Sequence, residues 1–497
     1  MKKSHYVFLI LVLLSSTAAY QPIQEDDEDL IETFQQINEE VLANSRAYET
    51  LGEACKVIGH RLTGSLNGKK AEEYAYTLLK NYGIKDVKYQ PFHVEAWSRD
   101  TVTLAVAPRK SDNFYDIEVV SLAMTPVEAK VTAEIVDVGN GLEPDFQAVK
   151  DKLQGRIALV NIGLLAPFKG VRNLHRSEKT ALATEYGAVG VIFVNTVKGN
   201  VLLTGTASVT GSLIGIPAVC ISLESGTHIR EWMKEQPNLM GVIDMKNFSK
   251  MIKARNVIAT IKGSHSKYRD EKIVIGGHLD SWDLATGALD NGIGSFSILD
   301  IARTFQALDL KPKRTIEFVM FMGEEEGLLG SKAMIEKSRR NNSLDKIAYM
   351  FNLDMANNAN GFNASGRNEM VPLLTKFGEY IQKVSPEYKN IVTNQAGLHS
   401  DHQSFMLEGI PTTNPNGGIA PEALGCYHAN CDDFNLVKKN EMINTVRYTA
   451  MMLYAMANVD KIPAKKLDFY STKDFFIKQN LKKELELGRE WRWGQDD

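Results

Sequence analysis

The spacing of apolar and polar residues changes character twice along the chain. Between Ser45 and Tyr82, apolar residues recur among charged ones at helical intervals, which predicts two helices separated by a loop at Gly59-His-Arg-Leu-Thr-Gly-Ser. From about residue 112 to 256 the apolar runs are short and β-rich, as at 131–138, 156–162 and 189–194, with glycine-bearing turns between them. One helix is predicted there at 177–186, ahead of Gly187-Ala-Val-Gly, and Ile216-Pro-Ala-Val reads as a further strand. After Ile258 strands and helices alternate. Residues 273–277, 315–322 and 347–353 read as strands, and 292–308 as a helix with Ile298, Ile301, Ala302 and Phe305 on one face. This alternation predicts an α/β fold with a mostly parallel central sheet flanked by helices.

A chain of 497 residues exceeds one compact core, and the change in pattern divides it. The expected body is residues 45–111 with 257–497, and the β-rich stretch 112–256 is an insertion that covers the site without supplying chemistry. A net charge of −4 and the lack of a basic stripe give no reason to expect a nucleic-acid partner. Lys2 and Lys3, an apolar run from Tyr6 to Leu14 and the small residues Ser15 to Ala19 have the order of a secretory signal over 1–19. That run is shorter than the roughly 20 apolar residues a membrane span needs, so export without a membrane anchor after signal removal is expected. Residues 20–44 are acidic and then helical in pattern, which fits a removable pro-segment or a solvated first helix. Cys426 and Cys431 are close enough to bridge, with His428 between them. A disulfide is favoured over a thiolate metal site, because no second cysteine pair completes a structural zinc set.

The chemistry lies at the strand ends. His278 and Asp280 follow one strand, Glu324, Glu325 and Glu326 the next, and Asp354 the third. Ligands of open α/β sheets bind beyond the carboxyl ends of the strands, so these groups are expected to converge. Asp290, in Gly287-Ala-Leu-Asp-Asn-Gly, and His428, in a late loop, complete the set. Each alone has an ordinary explanation: an Asp caps a helix, and a glutamate run is usually a solvated helix start. Together, buried carboxylates with two histidines call for a cation, and nitrogen and oxygen donors suit zinc. Asp280 is placed to accept the second ring N–H of His278.

His278-Leu-Asp-Ser-Trp-Asp, Gly287-Ala-Leu-Asp-Asn-Gly, Met322-Gly-Glu-Glu-Glu-Gly-Leu-Leu-Gly-Ser, Asn352-Leu-Asp-Met and the His428 loop resemble the co-catalytic zinc exopeptidase family. That family takes in bacterial zinc aminopeptidases and carboxypeptidase Q, and 112–256 looks like its inserted protease-associated domain. The resemblance implies two Zn2+ per chain: His278 and Asp354 on one, Glu325 and His428 on the other, Asp290 on both. Glu324 becomes the general base for water held between the ions and Glu326 a residue that points elsewhere; Asp280, read from its place two residues after His278, is counted with Glu324 among the catalytic residues. It also implies a cis bond at Asp290–Asn291, a short peptide or dipeptide substrate and, from the resemblance alone, a homodimer. Tyr427 and Ala429 beside His428 depart from the family pattern. In Ser400-Asp-His-Gln, His402 is read as supporting the fold. A glutaminyl cyclase-like enzyme and a non-catalytic receptor or scaffold are the alternatives, and the complete ligand set disfavours both.

Overall fold

A computed structural model describes residues 25–111, 113–165 and 171–494. The signal sequence expected at 1–19 lies outside the described residues. At the centre, the strands Thr412–Asn416, Ile347–Asn352, Lys272–His278 and Thr315–Phe321 lie side by side in that order, all parallel. Every residue of Thr315–Phe321 is buried, as in a parallel strand covered on both faces. Alternate side chains face opposite layers. Ile273, Ile275, Phe318 and Met320 join the core under Ile293–Ala307 and Lys439–Asn458. Val274, Val319 and Phe321 pack with Met334 of Leu329–Arg340 and Phe405 of His402–Met406.

The helix Glu25–Asn44 belongs to this packed body, with Phe34, Ile37 and Val41 buried and its side laid on Lys439–Asn458. Two strands that the apolar pattern did not single out are the longest in the molecule as described. Asp86–Pro108 and Leu239–Ile261 pair antiparallel from Asp86 opposite Thr260 to Pro108 opposite Leu239. Leu239–Ile261 bonds to Thr315–Phe321 through one end and to Glu128–Gly139 through the other. Next to Glu128–Gly139 come Ile157–Asn161, Gly190–Val194 and Ala218–Ile221, all parallel. The inserted lobe therefore extends the body's own sheet, and residue 256, the expected boundary, falls inside a strand. The lobe has apolar clusters of its own on the two faces of its strands. Among the described residues, no helix is long and apolar enough to cross a membrane.

Candidate metal centre

Parallel register brings the strand ends together. Phe321 lies opposite His278 and Asn352 opposite Gly276, so His278, the Glu324–Glu326 run and Asp354 leave the sheet along one rim. From Nε2 of His278, Asp290 Oδ1 is 3.1 Å away, Asp354 Oδ1 3.4 Å and Glu324 Oε2 4.0 Å. From Nε2 of His428, Asp290 Oδ2 is 2.8 Å away and Glu325 Oε2 3.0 Å. Asp290 thus presents one oxygen to each histidine. All the sequence-predicted ligands meet here.

Asp280 is at the site, though in a different role from the one expected. Its backbone carbonyl takes Nδ1 of His278 at 3.1 Å, while its carboxylate is 3.8 Å from that nitrogen. The carboxylate instead accepts the amides of Glu324 and Glu325, which orients the acidic turn. Glu326 does turn from the cavity, but it is buried beside Asp280, and burial with that neighbour's charge holds its carboxyl well above the usual range. His402 donates from Nε2 to the Gly397 carbonyl and is absent from the cavity wall, in keeping with a supporting place.

The loop carrying Asp290 is held from three directions. Asp432 accepts the amides of Leu289 at 2.7 Å and Asp290 at 3.0 Å. Asn291 donates to the Leu353 carbonyl and accepts the Met355 amide, tying the loop to the strand end that bears Asp354. Arg61, fully buried, donates to the carbonyls of Leu279, Thr286 and Gly287 at 2.6, 2.7 and 2.8 Å. The Asp290–Asn291 peptide bond is cis. Cys426 and Cys431 form a disulfide, as expected, and it closes the loop bearing His428.

Electrostatics explain why this set calls for cations. Burial, then the Asp354 and Glu325 charges, holds the Glu324 carboxyl well above its ordinary range, and Glu325 likewise beside Asp290. Burial works against a charged His278, yet Glu324 and Asp354 raise it well above normal. His428 goes the other way, pushed down to about 4 by burial and the Arg176 guanidinium. Oε1 of Glu325 is buried without a hydrogen-bond partner among the described residues. Carboxylates crowded in this way, one oxygen orphaned and two imidazole nitrogens converging, fit metal ions of mixed nitrogen and oxygen preference.

Arg176 is the residue that sequence reading missed. It starts the helix Arg176–Glu185 of the inserted lobe, and its Nη2 lies 2.6 Å from Nδ1 of His428. The insertion therefore does contribute to the site, contrary to expectation. No local signal marks it, since 252 residues separate the two partners. The cavity over the centre has a volume of about 270 Å3, and its wall includes Ser177 and Thr206 of the insertion and Leu485 and Gly488 near the C-terminal end.

Residues 256–453 match Peptidase family M28, and residues 130–229 match the PA domain. Carboxypeptidase Q of Rattus norvegicus is 28% identical over 92% of this chain and 98% of its own. The aminopeptidase from Aneurinibacillus sp. strain AM-1 is 26% identical with a TM-score of 0.64, over 88% of this chain and 99% of that one. A Peptidase M28 precursor from Shewanella amazonensis SB2B shares the fold, with a TM-score of 0.73 at 22% identity over 89% and 100% of the two chains. Together with the convergent ligands at the strand rim, these matches support the resemblance to the co-catalytic zinc exopeptidases with an inserted PA domain.

Proposed function

We propose that the chain is an exported exopeptidase that holds two zinc ions and hydrolyses short peptides or dipeptides. The observation that carries this reading is Asp290, with Oδ1 3.1 Å from Nε2 of His278 and Oδ2 2.8 Å from Nε2 of His428. A carboxylate facing an imidazole nitrogen with each oxygen is built to bridge two cations. His278 and Asp354 would hold one, and Glu325 and His428 the other. When bound, such a pair polarises a carbonyl and brings the pKa of water toward neutrality.

The protein's own part in the chemistry falls to Glu324. Its carboxyl lines the cavity with Oε2 4.0 Å from Nε2 of His278, farther out than Asp290 and Asp354, and burial makes it more basic than a free glutamate. Glu324 takes the proton of the attacking water and passes it to the amine that leaves as the C–N bond breaks. Asp280, through the amides of Glu324 and Glu325, holds that base in place. A cavity of about 270 Å3 lies at the small end for ligand sites and suits the end of a peptide better than a folded chain. The disulfide at Cys426–Cys431 supports an oxidising compartment and thus export.

The test is Glu324→Gln. Its kcat on a dipeptide should fall by about 10²–10⁴ while zinc content stays at the wild-type level. Near-normal turnover would remove Glu324 as the base. Product analysis on tripeptides blocked at either end then decides the terminus, on which the names of the two relatives, carboxypeptidase and aminopeptidase, point in opposite directions.

A further inference from the structure

The cavity wall carries a second convergence of ligand-type side chains, away from the proposed zinc pair. Glu178 comes from the helix Arg176–Glu185 of the insertion, His399 from the loop before His402–Met406, and Glu484 from the C-terminal helix Lys482–Leu487. One donor atom from each lies within 4.8 Å of the others. Nε2 of His399 is 2.6 Å from Oε1 of Glu484, whose other oxygen is ion-paired with Arg172. Glu178 uses Oε2 to accept the His175 amide at 2.7 Å. Its Oε1 is buried without a hydrogen-bond partner among the described residues, on a side chain only 2% exposed that lines the cavity. The His175 ring stacks on that of His399 with centroids 5.2 Å apart and orients it.

An orphaned buried carboxylate oxygen is costly, and an ion pair between His399 and Glu484 leaves it unsatisfied. A divalent cation would satisfy it. We propose that Glu178, His399 and Glu484 form a further binding site for a divalent cation of zinc type, which fastens the C-terminal helix to the inserted lobe beside the cavity. One imidazole nitrogen and two carboxylate oxygens are a donor set that zinc accepts, with water in the remaining position. His399 is the partly exposed member, with its side chain 43% accessible, and gives the ion a way in from solvent. The site owes nothing to peptide hydrolysis and stands or falls apart from it.

The experiment is zinc content by elemental analysis after equilibration in a fixed free Zn2+ concentration, on wild type, Glu178→Gln, His399→Ala and His278→Ala. The expected result is one equivalent fewer in Glu178→Gln and in His399→Ala than in wild type, with at least about a tenfold loss of affinity for that equivalent. His278→Ala should lose metal at the strand rim and keep this equivalent, which separates failure of this site from failure of the peptidase reading. A second readout is limited proteolysis: zinc should slow cleavage between Lys478 and Lys482 in wild type and in His278→Ala, but not in His399→Ala. Equal zinc content in wild type, Glu178→Gln and His399→Ala overturns the proposal and leaves a protonated His399 shared between the two carboxylates.

Discussion

Single residues here are decided by what surrounds them more than by their type. Asp280 was placed in the site by its position two residues after His278, yet its carboxylate serves the Glu324 and Glu325 amides and its carbonyl serves the ring. Lys179 has no sequence signature at all. Its ammonium is buried and donates to the Asn161 and Ile162 carbonyls and to Asn173 Oδ1 at 2.8, 3.1 and 2.8 Å. Burial pushes it down to about 7 from an ordinary 10.5. The folded-state value is the lower one, so between these limits the unfolded chain binds more protons. Stability should therefore rise with pH through that window and gain nothing from this group below it. Urea unfolding at about pH 7 and about pH 9 should show that gain in wild type, and Lys179→Met should lack it. An identical pH response in both proteins would refute the assignment.

At the scale of elements, the parallel strands of the central sheet were legible because fully buried parallel strands read as continuous apolar runs. Residues 273–277, 315–322 and 347–353 were expected, and Lys272–His278, Thr315–Phe321 and Ile347–Asn352 are found. The long strands Asp86–Pro108 and Leu239–Ile261 were not. Their outer faces alternate with charged residues and stay partly exposed, so no apolar run marks them. The loops are another matter, since they are shaped by partners far off in sequence. Asp432 accepts two successive amides of the Asp290 loop. Asp432→Asn keeps one acceptor oxygen where two are used, and one amide is left facing a donor. Zinc affinity should fall by about 10–100-fold, as for other residues that orient a ligand. Competition with a chromophoric chelator measures this, and an unchanged affinity would show that the loop holds Asp290 without Asp432.

The whole molecule is joined by the ribbon of Asp86–Pro108 and Leu239–Ile261, which makes one hydrogen-bonded sheet of both lobes. Arg176 reaches across to His428, and Arg99 pairs with Asp283 through two contacts of 2.7 Å. Lobes connected in this way should unfold together. Scanning calorimetry should show one transition, and two well-separated ones would mean that the ribbon does not couple them. Stripping metal with a chelator should lower that transition, and zinc should restore it, because a ligand at about 1,000 times its Kd adds about 4 kcal/mol to the folded state. No change on stripping would count against metal at the strand rim.

Apolar periodicity and the order of acidic and histidine residues were enough by themselves to name three strands at the centre of the sheet, the rim at their carboxyl ends and the side chains gathered there. Such signals are local: a buried strand must be apolar, and a strand end lies beside its neighbours' ends whatever else the chain does. Arg61 under the Asp290 loop, Arg176 behind His428 and the C-terminal helix in the cavity wall were decided by tertiary structure alone. Both arginines are polar groups whose partners lie more than two hundred residues away, and a long-range hydrogen bond leaves no periodicity in the sequence, while the seating of a terminal helix depends on packing against elements remote in the chain.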